Sequence, residues 1–225
     1  MLPLVELRAI SAFAREHHIP IHLDGARLWE AVAAGHGSLK DYCALVDSVS
    51  LCFSKGLGAP AGSILIGRKD FIAHAKWTRK SIGGGLRQTG VLTSAMRVAL
   101  EETFGSAIDG SAGKLKKTHA LAKKLATTWQ ELGGKLEFET ETNMVWLDLV
   151  DAGSSAGEFV GLGKQEGLKL LSGRLVVHYQ ISDAAVEKME KIMKQVLDNK
   201  GKKTNGANGT TGKEAAVGER VYGNQ

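Results

Sequence analysis

Asp24 and Lys55 are the residues of this 225-residue chain whose types and surroundings best suit catalysis. Each lies at the end of a short apolar run, 19–23 and 48–53, that is typical of a buried strand. They are separated by about one crossover unit, so we expect both at the same edge of a parallel sheet. A carboxylate and a lysine that converge there suit pyridoxal 5'-phosphate (PLP). The carboxylate would keep the pyridine nitrogen protonated, and the lysine would form a Schiff base.

Each residue alone also fits a structural role. An aspartate before glycine is common in turns and helix caps, and a lysine beside glycines is common in solvated loops. The flanking residues favour the site, because Ser54, Gly56 and Gly58 are small and leave room for a planar ring. Arg27 follows Asp24 by three residues and can face the same cleft.

Other chemistries lack their residue patterns. The lysine of the glycine-rich turn precedes its glycines, which does not fit the GxxxxGK[ST] loop of nucleotide-binding proteins, and a GxSxG motif is absent. His17, His18 and His22 lack the spacing of a zinc-binding helix and are interpreted as structural. Cys43 and Cys52 form no CxxC pair, so we expect small core residues, no disulfide and no metal.

The predicted elements alternate in the first half of the chain and change order in the second. Short strands at 19–23, 48–53 and 63–66 alternate with helices at 4–17, 26–34, 70–80 and 88–104. Further on, strands are predicted at 136–139, 144–149 and 175–179, and helices at 114–132, 155–165 and 184–197.

This order predicts an α/β fold of two domains. We expect residues 1–109 to form the C-terminal part of a large α/β domain, and residues 110–198 a smaller α+β domain. The large-domain sheet should be partial, since only three strands are predicted where open parallel sheets usually have five or more.

Composition and charge bound the class of protein. With 43% hydrophobic and 24% charged residues, the chain is typical of soluble globular proteins. Its longest uncharged stretch, 56–67, is far shorter than the roughly 20 apolar residues of a membrane span. The N-terminus has an amphipathic pattern and lacks that of a secretory signal, so we expect a cytoplasmic protein and no membrane partner.

Most of the net charge of +5 lies in residues 199–225, a glycine-rich segment with little apolar content that is expected to be disordered. Short basic tails usually have no specific partner, so we expect no nucleic acid to be bound. Salt-dependent DNA or RNA binding through this tail stays as an alternative.

Longer strings of residues resemble the L-threonine aldolase family, in the β-eliminating lyase branch of fold type I PLP enzymes. The segments that carry the resemblance are PLVELRAISAFAREHHIPIHLDGARLWEA, DSVSLCFSKGLGAPAGSILIG, RKSIGGGLRQTG and ETNMVWLDL. Generic PLP enzymes share only the aspartate and the lysine, whereas the strings LDGARLW and SKGLGAPAGS are specific to this family. The match runs from about residue 2 to residue 182 and implies a PLP-dependent transferase-like fold.

The resemblance implies roles for the candidate residues. Lys55 would carry PLP, Asp24 would pair with the pyridinium nitrogen, and Arg27 would contact both the cofactor and the substrate. Arg174 would hold the substrate carboxylate together with Arg27. The implied reaction is the retro-aldol cleavage of L-threonine, L-allo-threonine and related β-hydroxy-α-amino acids to glycine and an aldehyde.

The resemblance also implies an assembly of identical subunits. Lys80 and Arg87, which flank the triple glycine 83–85, would reach a cofactor site across or near the interface of a homodimer or homotetramer.

Two departures from the family leave an alternative open. Family members carry a section N-terminal to the position of Met1 that contributes the ring-stacking residue, the phosphate-binding amides and candidate base histidines. The family pattern R-x-V-T-H-x-D-V is also changed here, with Val177 at the threonine position and Gln180 at the aspartate position. The alternative to an active lyase is therefore a truncated, catalytically inactive fragment or pseudoenzyme that pairs with a full-length subunit.

Overall fold

The computed structural model of the protein describes residues 1–107 and 109–206. The helices within these ranges are α1 (Leu4–Glu16), α2 (Leu28–Ala33), α3 (Leu39–Cys43), α4 (Lys69–Ser81), α5 (Gly90–Ala99), α6 (Leu115–Glu131), α7 (Ala156–Gln165) and α8 (Asp183–Gly206). A π-helical turn, Leu100–Phe104, continues α5. The strands are β1 (His22–Gly25), β2 (Ser48–Cys52), β3 (Ser63–Gly67), β4 (Leu136–Phe138), β5 (Met144–Leu147) and β6 (Arg174–Val176).

The first sheet has the order β1-β2-β3, with β1 and β2 parallel and β2 and β3 antiparallel. The prediction of a parallel sheet is therefore correct for β1 and β2 and wrong at β3. The reason is the length of the connection, because parallel strands need a crossover of about a dozen residues or more. Residues 53–62, which join β2 to β3, are too few for that crossover.

Strand β1 includes the Asp24-Gly25 step, which the sequence pattern predicted as a break. Gly25 pairs with Leu51 in the parallel ladder. A Cβ on Gly25 would lie 2.7 Å from the carbonyl oxygen of Ser50, so only glycine lets the two backbones approach this closely. Pairing with β2 therefore continues to Gly25, the last residue of β1.

Helix α1 buries a narrower face than its apolar pattern predicts. Leu7, Ser11 and Ala14 are buried at i, i+4 and i+7, which is the stripe that faces the core. Ile10 and Phe13, predicted on the same face, are 47% and 59% exposed because they lie beside this stripe.

The second sheet has the antiparallel order β4-β5-β6 and packs with helices from the C-terminal half. Its core centres on fully buried large side chains: Trp129 of α6, Phe159 of α7, and Ile192 and Met193 of α8. A separate hydrophobic cluster lies around the first sheet and includes the apolar side chains of α2. The mixed α/β architecture expected from the sequence is thus observed, and the domain boundaries stay predictions.

Helix α8 continues to Gly206 and so extends into the segment 199–225, for which the expected disorder stays a prediction. Lys200 donates a hydrogen bond to Asp151 Oδ2 at 2.8 Å, which fastens the helix beyond its apolar stripe. Residues 207–225 of the predicted tail lie outside the described residues. None of the helices in the described ranges combines the length and apolar character needed to cross a bilayer.

Candidate active site

The parallel ladder places Asp24 and Lys55 at the same edge of the first sheet. Asp24 pairs with Ser50 in the register of β1 and β2, and Lys55 follows three residues after Cys52, the last residue of β2. Adjacent strands lie about 4.8 Å apart, so the two residues leave neighbouring strands at their carboxyl ends. Both are exposed at this edge.

Asp24 and Arg27 line a shared cavity of about 500 Å³. Asp24 Oδ1 accepts a hydrogen bond from the Ala26 backbone N–H at 3.1 Å, which orients the carboxylate. Arg27 is half-buried at the start of helix α2. Met144 and Trp146 of β5 line the same cavity, so it lies where the second sheet approaches the end of β1. Lys55 lies outside this lining.

Lys55 lies in a tight turn, residues 54–59, which we call the Lys55 turn. Its carbonyl oxygen accepts a hydrogen bond from the Gly58 N–H at 2.9 Å, and Phe53 accepts one from Ala59 at 2.9 Å. Gly58 has φ +77°, a left-handed conformation that favours glycine. The glycines next to the lysine therefore serve the shape of the turn itself.

Cys52 and Ser54 lie beside the lysine charge. Cys52 Sγ and Ser54 Oγ are 3.2 Å apart. Burial acts to raise the pKa of the Cys52 thiol, but hydrogen bonds with Ser54 and the positive charge of Lys55 outweigh it and hold this pKa below its usual value. Burial raises the pKa of the Cys43 thiol. Both thiols are free and half-buried. Cys43 packs against the hydrophobic cluster around the first sheet, in agreement with the predicted core position.

Arg174 lies next to the cavity without lining it. It pairs with Trp146 in the antiparallel ladder of β5 and β6, and its guanidinium carbon is 5.5 Å from the centre of the Trp146 ring. Arg174 itself lines a second cavity of about 330 Å³. Trp146 therefore contacts the candidate carboxylate-binding arginine and also lines the cavity that holds Asp24 and Arg27.

Lys80 and Arg87 are not brought to the other candidates. Lys80 lies in the last turn of α4, Arg87 follows that helix, and both are exposed and outside the lining of the cavity that holds Asp24. Their predicted roles near a subunit interface stay predictions.

The histidines of the N-terminal segment do not form a metal site. His22 Nδ1 lies 2.8 Å from Ser48 Oγ, a structural contact across the β1 and β2 ladder. Across the described ranges, no cluster of three or more His, Cys, Asp and Glu side chains could hold a metal ion.

Three residues that sequence reasoning missed surround the Lys55 turn. Glu30 is 2% exposed, and its Oε2 lies 2.5 Å from His119 Nε2. Tyr179 lies against Gly58 of the same turn. A signal for Glu30 was present, because it is the one charged residue within the apolar helix sequence LWEAVA.

The residues present fit the pyridine end of PLP. An exposed carboxylate and an exposed amine leave adjacent parallel strands, which is the donor set that the ring nitrogen and the aldehyde carbon require. A half-buried arginine shares the cavity with the carboxylate and can bind a carboxylate or a phosphate. Asp24, Lys55 and Arg27 are therefore the residues that would hold the cofactor.

The chain is similar in sequence to several known proteins. The chain is 54% identical to an aldolase, vrtJ, of Penicillium aethiopicum, over 88% of this chain and 49% of the relative. It is 45% identical to the alanine racemase TOXG of Cochliobolus carbonum, over 88% and 51%. It is 42% identical to a low-specificity L-threonine aldolase of Candida albicans, again over 88% and 51%. The chain thus spans about half the length of the curated relatives it matches.

The fold is similar to that of solved structures. A solved structure from Listeria monocytogenes, described as a candidate L-allo-threonine aldolase, superposes with a TM-score of 0.68 at 28% identity, over 88% of this chain and 57% of that one. The family described as beta-eliminating lyase matches residues 1–152, which is more than half of the chain. These proteins are fold type I enzymes that depend on PLP, so the expected fold class and cofactor are confirmed at the family level. The chain that carries Asp24 on β1 and Lys55 in the turn after the parallel strand β2 belongs to the beta-eliminating lyase family.

Proposed function

We propose that the protein containing this chain is a PLP-dependent aldehyde-lyase. It would cleave L-threonine, L-allo-threonine and related β-hydroxy-α-amino acids to glycine and an aldehyde. The observation that carries the proposal is that Asp24 on β1 and Lys55 in the turn after β2 lie at the same edge of two adjacent parallel strands, with Arg27 in the cavity beside Asp24. Relatives that are themselves named aldolases support the choice of reaction.

Bound PLP would supply an electron sink for the bond that breaks. Lys55 holds the cofactor through its amine, at the position that the turn fixes. Asp24 keeps a proton on the ring nitrogen, because a carboxylate in contact stabilises the charged form. Its own orientation is fixed by the hydrogen bond from Ala26.

The two arginines would bind the substrate carboxylate. A guanidinium can hold a carboxylate with two parallel hydrogen bonds, and this fixes its orientation as well as its position. Such a fixed carboxylate sets the torsion of the bond to be broken, which is a large part of the rate advantage in reactions of this kind. Arg27 lines the cavity. Arg174 lies against the ring of Trp146, which is at the edge of this cavity.

The same proposal covers partners and location. We infer a homodimer or homotetramer in the cytoplasm, with the exposed Lys80 and Arg87 near the contact between subunits. The free thiols of Cys43 and Cys52 agree with a reducing compartment.

The test is covalent labelling together with product analysis. The protein is incubated with PLP and reduced with borohydride, and peptide mass spectrometry should place the pyridoxyl group on Lys55. Lys55→Arg should remove the label, whereas Lys123→Arg, at an exposed lysine of α6, should keep it. Acetaldehyde and glycine released from L-threonine are measured in the same preparations. A label on a different lysine would contradict the proposal.

Alanine racemisation is the second candidate, because the racemase relative is as similar as the threonine aldolases. The assay therefore includes L-alanine and measures D-alanine by chiral chromatography. D-alanine without aldehyde release favours the racemase. A Lys55 label without either product favours the inactive alternative.

A further inference from the structure

Glu30 is a buried carboxylate in contact with the Lys55 turn. A Cβ on Gly56, the residue next to the lysine, would overlap Glu30 Oε1 and lie 2.9 Å from its carboxyl carbon. Glu30 Oε2 is bonded to His119, while Oε1 has no hydrogen-bond partner among the described residues. Burial of a carboxylate with one oxygen unpaired is costly, and the proposed reaction gives this group no role. The contact of Glu30 with the Lys55 turn suggests a role for it.

Tyr179 contacts the same turn at its other glycine. A Cβ on Gly58 would lie 2.5 Å from the Tyr179 hydroxyl oxygen and 3.1 Å from the nearest ring carbon. The tyrosine ring is itself held in place, with Lys114 Nζ 5.0 Å from its centre and the His178 ring 4.2 Å away. The hydroxyl therefore forms a fixed wall against Gly58.

These contacts connect the second half of the chain to the lysine. His119 lies on α6 and Tyr179 follows β6, so both come from elements that pack around the second sheet. Lys55 follows β2 of the first sheet. The turn thus contacts Glu30 at Gly56 and Tyr179 at Gly58, and Glu30 is in turn hydrogen-bonded with His119.

We propose that Glu30, His119 and Tyr179 are positioning residues that hold the Lys55 turn at Gly56 and Gly58 and so fix the lysine amine relative to Asp24. The proposal rests on the proposed function in one respect, the assignment of Lys55 as the PLP lysine. Fixing the turn matters because a reacting group held by packed neighbours loses less freedom when it binds its partner. Release of either wall should loosen the turn and weaken PLP attachment at Lys55.

The experiment compares matched variants of the protein by two measurements. Glu30→Ala and Tyr179→Phe remove the contact groups, and Gly56→Ala pushes the turn away from an intact Glu30. Glu190→Ala is the control for Glu30, since Glu190 of α8 forms an ion pair with Lys124 at 2.9 Å and is not one of the residues placed against the turn. Tyr42→Phe is the control for Tyr179 in the exchange measurement alone, because Tyr42 lines the cavity that holds Asp24. Its hydroxyl donates a 3.2 Å hydrogen bond to the His36 carbonyl oxygen.

The first measurement is amide hydrogen exchange at Gly58 and Ala59 without added cofactor. The second is the yield of pyridoxyl-Lys55 after borohydride reduction over a series of PLP concentrations. Loss of one wall should speed exchange at these amides and weaken PLP attachment by about tenfold each, as expected for one lost polar contact. His119→Gln, which keeps an N–H donor for Glu30, should stay near the wild type, while His119→Ala should behave as Glu30→Ala.

The outcomes separate the proposal from the assignment of Lys55. Equal exchange and equal labelling in the wall variants and their controls would overturn the proposal. The same holds if exchange rises evenly over β2 and α6, because that pattern indicates a purely structural loss. If Glu30→Ala fails to fold, the comparison of His119→Ala with His119→Gln and the result for Tyr179→Phe test the proposal instead. If wild-type protein is labelled at another lysine, the proposed function is wrong, and the exchange data alone decide whether the turn is held.

Discussion

Arg174 lies directly opposite Trp146 across strands β6 and β5, with its guanidinium carbon 5.5 Å from the centre of the indole ring. Trp146 also lines the cavity that holds Asp24 and Arg27. A guanidinium on an aromatic face is held by cation–π attraction and keeps its hydrogen-bond donors free. The ring thus keeps the arginine at the edge of the candidate site in a form able to bind a carboxylate.

We expect Arg174→Ala and Arg174→Lys, in a form that binds PLP, to weaken amino-acid binding by about 2–3 kcal/mol, the range for a hydrogen bond to a charged group. The absorption spectrum of bound PLP should not change. Arg68→Ala is the control, since Arg68 is exposed and pairs with Asp70 of its own segment. Titration of the cofactor band with amino acid checks the prediction, and unchanged affinity in both Arg174 variants would contradict it.

Asp24→Asn should separate cofactor attachment from turnover. An amide does not stabilise a protonated ring nitrogen as a carboxylate does, and loss of such a contact shifts a pKa by about 1–3 units, so product formation should fall by about ten- to a thousandfold. Pyridoxyl labelling of Lys55 should persist. Asp70→Asn, at an exposed aspartate of α4, should leave both unchanged. Full turnover in Asp24→Asn would remove Asp24 from the site.

The sequence predicts the part of the site that depends on local patterns. Asp24 and Lys55 could be placed together because apolar runs indicate strands and the crossover spacing indicates parallel neighbours. Glu30 and His119 could not, because their contact joins residues 89 positions apart and depends on how α6 packs. The direction of β3 was mispredicted because strand composition is similar in parallel and antiparallel pairs, and only the short connection distinguishes them.

Asp151 joins two parts of the C-terminal half, through hydrogen bonds from Lys135 at 2.7 Å and Lys200 at 2.8 Å. These two lysines hold the pKa of the Asp151 carboxyl below its usual value of 3.8. Because this pKa is lower in the folded state, the carboxylate stabilises the fold above the unfolded-state value. The contribution is lost as the pH falls through the folded-state pKa.

Asp151→Asn should therefore unfold at a lower temperature than wild type near neutral pH, and the difference should close below about pH 4. Added salt should also narrow the difference at neutral pH, since the pairs lie near the surface. Asp198→Asn, at an exposed aspartate of α8, is the control. Thermal unfolding followed by circular dichroism at several pH values makes the measurement. A difference that stays constant down to low pH would contradict the assignment.

Phe159→Ala should destabilise the second sheet and its helices. The side chain is fully buried in the cluster that includes Trp129 and Ile192, so its removal leaves a cavity and should cost about 3–5 kcal/mol. Phe138→Ala is the matched control, because Phe138 is 62% exposed on β4 and its loss should change stability by much less. Urea unfolding of the two variants measures the difference, and similar midpoints would contradict it.

The pairing of Asp24 with Ser50 divides the chain between Asp24 and Lys55 into two stretches with opposite tolerance of length changes. Extra residues near Gly35 and Gly37, in the loop before α3, leave the ladder intact, because surface loops lengthen at little free-energy cost. A single residue inserted between Ser50 and the end of β2 would turn every later side chain of the strand to the opposite face. Homologous sequences should therefore vary in length before β2 and keep a constant count from Ser50 to Lys55, and loop insertion for engineering belongs in the first stretch.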